Sequence, residues 1–375
     1  MSKLPQTNTS IFTLMSQMAN EHHATNLSQG FPDFTVDQRL KDSVIKWANE
    51  EIHQYLPMAG YPPLLAKIAK LTLKSYHRTI EPNTSILITA GATQGIFASI
   101  HALVHKNDEV IILDPSYDSY EPTVILCNAK PVRIPLNDDF TPNWEAIEFA
   151  INPKTRMLII NNPHNPTGKI WTEHDYSQLE LLMDANPNLI LLSDEVYEYI
   201  TFENKHISVH NRPKLWDRSI CISSFGKSFH ITGWKIGYVI APEYLMNEIK
   251  KVHQFMVFTV NSIAQYAIND YIDLIEVSEL GGFYQQKRDL FRNLMQDTKF
   301  ELLPCEGTYF QVASYSEISN KNDLEFAKDL VIDFGVATIP LSPFYSTKNN
   351  LKCIRFCFAK EVETLIKAAE KMMKI

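Results

Sequence analysis

The stretch LILLSDEVY, residues 189–197, is the segment that best indicates the fold of this chain. Its first four residues are apolar without alternation, which is typical of a strand covered on both faces in a parallel sheet. The run stops at Ser193-Asp194. A carboxylate at the end of a buried strand needs a partner, because an isolated charge would be strongly desolvated there. Asp194 therefore indicates a polar site where this strand ends.

Six other segments between residues 40 and 240 have a similar apolar character and alternate with helical periodicity. A helix between the first two of these strands has its apolar residues on one face. Strands that alternate with helices predict an α/β fold with a mostly parallel, doubly wound sheet. The six further candidate strands are Ser85–Thr89, Glu109–Leu113, Lys130–Ile134, Arg156–Asn161, Ser219–Phe225 and Ile236–Ile240.

The pattern changes after Pro242, where a long helical region begins. We expect this region to be broken at Gly281-Gly282 and resumed afterwards. Short strands mixed with helices then predict an α+β domain. At about 150 residues per domain, a chain of 375 residues is expected to form two domains. The candidate strands of the second are Phe300–Leu303, Thr308–Val312, Val336–Ile339 and Lys352–Phe358.

Composition excludes several classes of protein. The chain is 45% hydrophobic and 21% charged, and 35 basic against 43 acidic residues give a net charge of −8. This balance is that of a globular protein that repels nucleic acid and anionic lipid. The five cysteines contain no CxxC pair, which argues against a disulfide framework or a metal site. Residues 1–6 lack the apolar core of a signal peptide, so we expect a cytoplasmic protein without a membrane segment.

Two polar segments follow predicted strands, at the edge where an open α/β sheet binds its ligands. TAGATQG, residues 89–95, lies between a strand and a helix, where free backbone N–H groups can bind phosphate. It is neither GxGxxG nor a P-loop, and an ordinary turn is the alternative interpretation. NNPHNPTG, residues 161–168, is a rigid turn whose asparagines can donate into a site, or turn chemistry alone.

A third segment carries Asp194 and Tyr197, and a fourth is SSFGKS, residues 223–228, followed by TGWK at 232–235. Although Gly226-Lys227-Ser228 mimics the end of a P-loop, Cys221 occupies the place of the required glycine. A lone lysine here would be a solvated residue. Combined with a phosphate turn, a buried acid and a tyrosine, however, it supplies the parts of a pyridoxal phosphate enzyme.

These motifs resemble the class I/II aminotransferases of the pyridoxal phosphate fold-type I superfamily. The similarity extends from NLSQGFPD, residues 26–33, to IRFC, residues 354–357, and is greatest for the methionine aminotransferase and kynurenine–glutamine transaminase branch. DPSYDSY at 114–120 and LPCEGTYF at 303–310 look most like bacterial methionine aminotransferases. The resemblance implies a large domain, residues 39–275, with a mostly parallel seven-stranded sheet between helices. Residues 1–38 together with 276–375 would form a small α+β domain.

The resemblance also assigns the cofactor site. Lys227 would form the Schiff base with pyridoxal 5'-phosphate and then act as general acid and base. Asp194 would keep the ring nitrogen protonated, while Asn165 and Tyr197 would hydrogen-bond the ring hydroxyl and Tyr117 would stack on the ring. The phosphate would be held by Gly91, Ala92, Thr93, Ser224 and Lys235, and by Tyr55 from the partner subunit of a homodimer with shared active sites.

The substrate side of the site is implied in the same way. Arg355 would bind the substrate α-carboxylate with help from Asn165 and Gly30, because a guanidinium fork suits a carboxylate. For each aromatic residue proposed for the side-chain pocket, plain core packing is the alternative. That pocket would contain Phe12, Tyr61, Tyr120, Phe258 and Thr259, some of them from the partner subunit.

Two departures from family patterns bear on the substrate. Lys235 stands where many relatives have arginine, but it keeps the charge. Thr259 stands where kynurenine-processing relatives have histidine, which disfavours kynurenine as the main substrate. We therefore expect a ping-pong transaminase that moves the amino group of L-methionine, and more slowly of aromatic or other bulky amino acids, to a 2-oxo acid.

Three alternatives stay open on the sequence. A C–S β-lyase acting on cystathionine or cysteine S-conjugates, or a kynurenine–oxoglutarate transaminase, would share every cofactor residue. A DNA-binding regulator with an aminotransferase-like sensor domain is disfavoured, because fewer than 30 residues precede Gly30 and the net charge is negative.

Overall fold

The computed structural model describes residues 2–5, 9–347 and 351–375 of the chain. Its helices are α1 Ile11–Glu21, α2 Gln38–Ala48, α3 Pro62–Tyr76, α4 Pro82–Ser85, α5 Ala92–Leu103, α6 Tyr120–Leu126, α7 Trp144–Ala150, α8 Glu173–Ala185, α9 Pro213–Trp216, α10 Phe225–Ser228, α11 Glu243–Met256, α12 Ser262–Tyr271, α13 Leu280–Met295, α14 Asp323–Ile332 and α15 Val362–Met372. Its strands are β1 Thr25–Asn26, β2 Ile86–Thr89, β3 Glu109–Asp114, β4 Lys130–Pro135, β5 Thr155–Asn161, β6 Ile190–Asp194, β7 Ser219–Ser224, β8 Gly237–Ile240, β9 Glu301–Leu302, β10 Phe310–Ser314, β11 Val336–Ala337, β12 Ile339–Pro340 and β13 Cys353–Cys357.

The central sheet has seven strands in the order β2-β8-β7-β6-β5-β3-β4. Neighbouring strands from β7 to β4 pair in parallel, whereas β8 is antiparallel to both β2 and β7. Each predicted strand of this sheet is present within one residue of its expected bounds. The α/β fold with a mostly parallel sheet is therefore confirmed.

Strand β6 shows why this part of the sequence does not alternate. All its residues are buried, with Ile190 and Leu192 in the core layer that contains α5 and Leu191 in the layer that contains α8. Successive side chains of a strand point to opposite faces, so a strand between two helical layers must be apolar at every position. Each such side chain contributes about 1.5–3 kcal/mol when fully buried.

The C-terminal part of the chain forms a separate four-stranded antiparallel sheet, β12-β13-β10-β9. Strand β1 from the N-terminal region pairs in parallel with β11, where Thr25 lies opposite Val336. This pairing brings the two ends of the chain together, as the predicted small domain requires, although the domain boundaries stay a prediction. The predicted strand Val336–Ile339 is divided in two, because β11 pairs with β1 whereas β12 pairs with β13.

The predicted helix break at Gly281-Gly282 is wrong, because both glycines lie inside α13. A Cβ atom on Gly281 would come within 2.5 Å of the Thr201 carbonyl oxygen. The glycine thus permits a close approach of two backbone segments and does not end the helix.

None of the helices in the described ranges is long and apolar enough to cross a membrane. Met1 and Gln6, which belong to the segment judged for a signal peptide, lie outside the described residues. The cytoplasmic location stays a prediction.

Candidate active site

One cavity opens at the carboxyl ends of the parallel strands, as expected for a doubly wound sheet. Strands β5, β6 and β7 end beside it at Asn161, Asp194 and Ser224. Residues from the C-terminal sheet and from α1 close its other side. The predicted site residues that line this cavity are Phe12, Gly30, Gly91, Ala92, Thr93, Tyr117, Asn165, Asp194, Tyr197, Ser224, Lys227, Lys235 and Arg355.

Asp194 is buried at the end of β6 and is held by a hydrogen bond that the sequence did not predict. The Tyr120 hydroxyl donates to Asp194 Oδ2 at 2.5 Å. Burial raises the pKa of Asp194 to about 6, and the bonds from Tyr120 and from the Val196 backbone N–H oppose that rise. Tyr120 does not line the cavity, so its predicted place in the substrate pocket is wrong. Tyr120 is the first residue of α6 and is almost fully buried.

Lys227 lies on α10, immediately after β7, and its amine reaches the cavity. Nζ donates to the Tyr309 hydroxyl at 3.0 Å and to the Gly30 carbonyl at 3.3 Å. Desolvation, together with the smaller effect of the positive charges on Arg355 and Lys235, lowers the pKa of Lys227 to about 8. A lysine with a pKa near 8 supplies a neutral amine close to physiological pH, as a nucleophile or general base requires.

The start of α5 forms an anion-binding corner. Gly91 precedes the helix with φ 78° and ψ 167°, a conformation that only glycine adopts readily. The backbone N–H groups at a helix N-terminus point outward and carry partial positive charge. A Cβ atom on Gly91 would lie 3.3 Å from Lys235 Nζ, so the ammonium group faces the same corner. A Cβ on Gly237 would meet the Ala92 backbone nitrogen at 3.1 Å, so a second glycine keeps this corner open.

Arg355 lies on β13 and is almost fully buried on the opposite wall of the cavity. Nη1 donates to Asn165 Oδ1 at 2.7 Å, and the guanidinium stacks 3.8 Å from the centroid of the Phe310 ring. Nε has no hydrogen-bond partner among the described residues. Burial lowers the pKa of Arg355 to about 10, so it stays charged at neutral pH. A buried guanidinium with an unused donor is a site for a carboxylate.

Four further predicted residues do not line the cavity of their own protomer: Tyr55, Tyr61, Phe258 and Thr259. Tyr55 is 82% exposed and packs edge-on against Phe258 at 5.3 Å. Tyr61 instead packs against Tyr266 at 4.2 Å. The single chain does not test whether these residues reach the site of another subunit, so that placement stays a prediction.

The sequence did not single out several residues of the site. Gln29 and Phe310 line the cavity, and Asn161 Nδ2 donates to the Asp194 carbonyl at 2.8 Å. Tyr309 contacts Lys227. Gln29 and Asn161 lie inside NLSQGFPD and NNPHNPTG, so their position in these segments was the available signal. Tyr309 and Phe310 lie in LPCEGTYF, a segment similar to the family, but their place in a predicted strand did not distinguish them from core residues.

The residues present fit pyridoxal phosphate. The Gly91 corner with Lys235 and Ser224 has the donors and the space for a phosphate, and Asp194 is a carboxylate suited to a ring nitrogen. Lys227 is an amine suited to an aldehyde. Tyr117, which also lines the cavity, offers an aromatic face.

Comparison with known proteins agrees with this geometry. Residues 22–372 match the model of the family described as aminotransferase class I and II. The chain is 42% identical to methionine aminotransferase of Escherichia coli (strain K12) over 378 residues, covering 100% of this chain and 98% of that protein. It is 32% identical to human kynurenine–oxoglutarate transaminase 3 over 395 residues, covering 96% of this chain and 86% of that protein.

Solved structures give the same result. The crystal structure of YbdL from Escherichia coli, identified with a methionine aminotransferase function, matches with TM-score 0.97 and 42% identity, covering 100% of this chain and 99% of that one. N-succinyldiaminopimelate aminotransferase from Mycobacterium tuberculosis matches with TM-score 0.96 and 32% identity, again covering 100% and 99%.

Proposed function

This chain belongs to the class I and II aminotransferase family and is a pyridoxal phosphate-dependent transaminase, and we propose that its preferred amino donor is L-methionine. The observation that carries the proposal is the set of charges in the cavity. Of the described residues that line it, the cationic ones are Lys227, Lys235 and Arg355. In this proposal these three bind the aldehyde, the phosphate and the α-carboxylate, so the protomer offers no further cation to a distal carboxylate.

The surroundings of Arg355 favour a bulky apolar side chain. Phe310, Phe12 and Phe344 lie 3.8, 5.4 and 5.3 Å from its guanidinium. A substrate whose carboxylate is bound by Arg355 has its side chain close to these rings. A flexible thioether adapts to irregular space, and each thioether–aromatic contact contributes roughly 0.3–1.5 kcal/mol. The 42% identity to a methionine aminotransferase supports the same choice.

The residues of the chain divide the chemistry as follows. Bound pyridoxal phosphate supplies an aldehyde that takes the amino group and a ring that withdraws electrons from the substrate Cα. Arg355 and Asn165 hold the carboxylate and so fix the orientation of Cα. Asp194, which accepts a hydrogen bond from the Tyr120 hydroxyl, gives the ring nitrogen a negative partner. Lys227 Nζ would take the proton from Cα and deliver it to the cofactor carbon that receives the amino group.

The same residues serve both halves of a ping-pong reaction. An amino acid and a 2-oxo acid share the α-carboxylate, so Arg355 binds both in the same orientation. The amino donor leaves as its 2-oxo acid before the acceptor enters, because both occupy one cavity.

We also propose that the active form is a homodimer with shared sites. Tyr55, Phe255 and Phe258 are exposed by 82%, 86% and 42%, and Tyr55 packs against Phe258. Large exposed aromatic groups close together are typical of a protein interface. In this proposal Tyr55 reaches the phosphate of the partner's site, and Phe258 and Thr259 approach its substrate side chain.

Steady-state kinetics on a panel of amino donors test the substrate. We expect kcat/KM to be highest for methionine, lower for phenylalanine, leucine and kynurenine, and lower by about 10³ for aspartate, whose second carboxylate would be buried unpaired. Pyruvate released from cystathionine without a 2-oxo acid reports β-elimination. Aspartate or kynurenine equal to methionine, or elimination faster than transfer, would contradict the proposal.

A pair of variants tests whether Phe12 contributes to the preference for methionine. Phe12→Ala should lower kcat/KM for methionine more than for alanine, whose side chain does not reach the ring. Phe149→Ala is the matched control, since Phe149 is 92% exposed and lies on α7, remote from the cavity.

A further inference from the structure

Tyr309 is a buried tyrosine beside the reactive lysine, and it lies in the LPCEGTYF segment, for which the sequence predicted no role in the site. Its ring is fully buried just before β10. Its hydroxyl donates to the Gly30 carbonyl at 2.8 Å and accepts from Lys227 Nζ at 3.0 Å. Lys227 Nζ also lies 3.3 Å from the Gly30 carbonyl, so the three groups form a closed triangle.

The chemistry of the triangle sets the direction of each hydrogen bond. Burial raises the pKa of Tyr309 well above that of free tyrosine, so the phenol keeps its proton. A phenol has one proton to donate, and here the Gly30 carbonyl accepts it. Toward Lys227 the Tyr309 oxygen is therefore an acceptor. A neutral amine whose two N–H groups meet two acceptors keeps its lone pair free for a proton.

The surrounding packing holds this geometry. The Tyr309 ring packs edge-on against Tyr197 at 5.3 Å and lies 5.5 Å from Tyr284. A Cβ atom on Gly30 would come within 2.9 Å of the Phe310 ring, so only glycine brings that carbonyl so close. Neither acceptor can turn away without disturbing the core.

We propose that Tyr309, together with the Gly30 carbonyl, holds the Lys227 amine with its lone pair free whenever that amine is not covalently engaged. Tyr309 is then a positioning residue for the proton transfer at the substrate Cα. This inference rests on the proposed role of Lys227 as the group that moves that proton.

The first test measures the acidity of Lys227 itself. The holoenzyme is converted to its pyridoxamine phosphate form with excess amino donor, which leaves the lysine amine free. The protein is then trace-labelled with acetic anhydride across a pH series, and mass spectrometry of the Lys227 peptide measures the extent of labelling. The pH at half-maximal labelling is the titration midpoint of the Lys227 amine. Removing an acceptor destabilises the ammonium form, so Tyr309→Phe should lower the midpoint by about half a unit to one unit.

Tyr284→Phe is the matched control. The Tyr284 hydroxyl is buried next to Tyr309 and has no hydrogen-bond partner among the described residues. Its loss changes the core without changing the triangle, so the Lys227 midpoint should stay in place. An unchanged or raised midpoint in Tyr309→Phe, or equal shifts in both variants, would overturn the proposal.

The second test follows the proton. With methionine deuterated at Cα, Tyr309→Phe should show a single-turnover rate about tenfold lower and a larger isotope effect, a part of the 10²–10⁴ that acid–base catalysis contributes. Should Tyr309→Phe not fold, 3-fluorotyrosine at position 309 keeps the ring and weakens the acceptor, so both changes become smaller. An isotope effect that does not rise would overturn the proposal.

These tests separate the inference from the substrate proposal. The labelling midpoint does not depend on which amino acid is the best donor, and the isotope measurement can use any donor that turns over. A protein that prefers another amino acid but shows both shifts would keep the role of Tyr309. Failure of both shifts in an efficient methionine transaminase would remove that role alone.

Discussion

The hydroxyl of Tyr120, a residue that does not line the cavity, donates to Asp194 Oδ2 at 2.5 Å. Asp194 thus presents to the cavity a carboxylate that already accepts a hydrogen bond from Tyr120. The contact counters the desolvation that raises the pKa of Asp194. The role of Tyr120 therefore differs from that of Tyr117, which lies three residues earlier and lines the cavity.

Removing this hydroxyl should weaken cofactor binding. Tyr120→Phe takes away a hydrogen bond that stabilises the ionised form of Asp194, so the pKa of Asp194 should rise further above about 6. A hydrogen bond to a charged group is worth about 1.5–3 kcal/mol, or roughly 10- to 100-fold in affinity. Cofactor affinity, measured by fluorescence titration, should fall more at pH 6 than at pH 8. Ser119→Ala is the control, because the Ser119 hydroxyl has no partner among the described residues; equal losses at both pH values would contradict this role.

Covalent capture of the cofactor should follow the ionisation of Lys227. Only the neutral amine attacks an aldehyde, and the pKa of Lys227 is lowered to about 8. The capture rate, followed by absorbance after mixing protein and pyridoxal phosphate, should therefore rise with pH and level off above about pH 8. Lys227→Ala should lose both activity and borohydride-fixed cofactor. A cofactor label found on another lysine would refute the assignment.

Arg355→Lys should damage recognition of the carboxylate. Lysine keeps the charge but lacks the planar fork, and we expect kcat/KM for methionine to fall by about 10- to 100-fold. The rate with 3-(methylthio)propylamine, which has no carboxylate, should change little. Arg292→Lys is the matched variant, since Arg292 binds the Leu303 carbonyl and Gln311 away from the cavity. A similar loss with both substrates would argue against a carboxylate clamp.

Gly91→Ala should affect both stability and cofactor binding. The positive φ of Gly91 strains any other residue, at a cost of about 1–3 kcal/mol in the free energy of unfolding. The new methyl group would also stand 3.3 Å from Lys235 Nζ, in the corner where the phosphate is proposed to bind. Urea unfolding and cofactor titration measure the two effects. Gly282→Ala, whose Cβ would meet nothing within 4 Å, is expected to leave both unchanged or to add stability.

Mixed dimers test the shared site. Subunits with Lys227→Ala and subunits with Tyr55→Ala, each inactive alone, should recover activity on mixing, because one site of the hybrid has both residues. A random mixture of a symmetric dimer would regain about a quarter of the normal activity. Lys227→Ala mixed with Asp194→Ala should regain none, since both residues belong to one protomer's cavity. Hybrids that form without recovering activity would disprove a shared site.

Much of the fold was determined by local sequence. The buried part of a strand such as Ile190–Asp194, which lies between two helical layers, must be apolar on both faces. Such a strand can therefore be predicted from its own sequence, without knowledge of the strands beside it. The local sequence also predicts that Asp194 and Lys227 lie at or just after the ends of strands, because those strands are themselves predictable. The Gly281-Gly282 pair led to a wrong prediction of a helix break. In a sequence, a glycine that permits close backbone contact cannot be distinguished from one that ends a helix.

Only the tertiary structure decided which way side chains point and which distant segments meet. Tyr117 and Tyr120 look alike in the sequence, but the start of α6 turns one toward the cavity and the other toward Asp194. Tyr309, which precedes a strand of the C-terminal sheet, contacts Lys227, which follows a strand of the central sheet. Contacts of this kind depend on how separate sheets and helices pack together, and no local pattern encodes that packing.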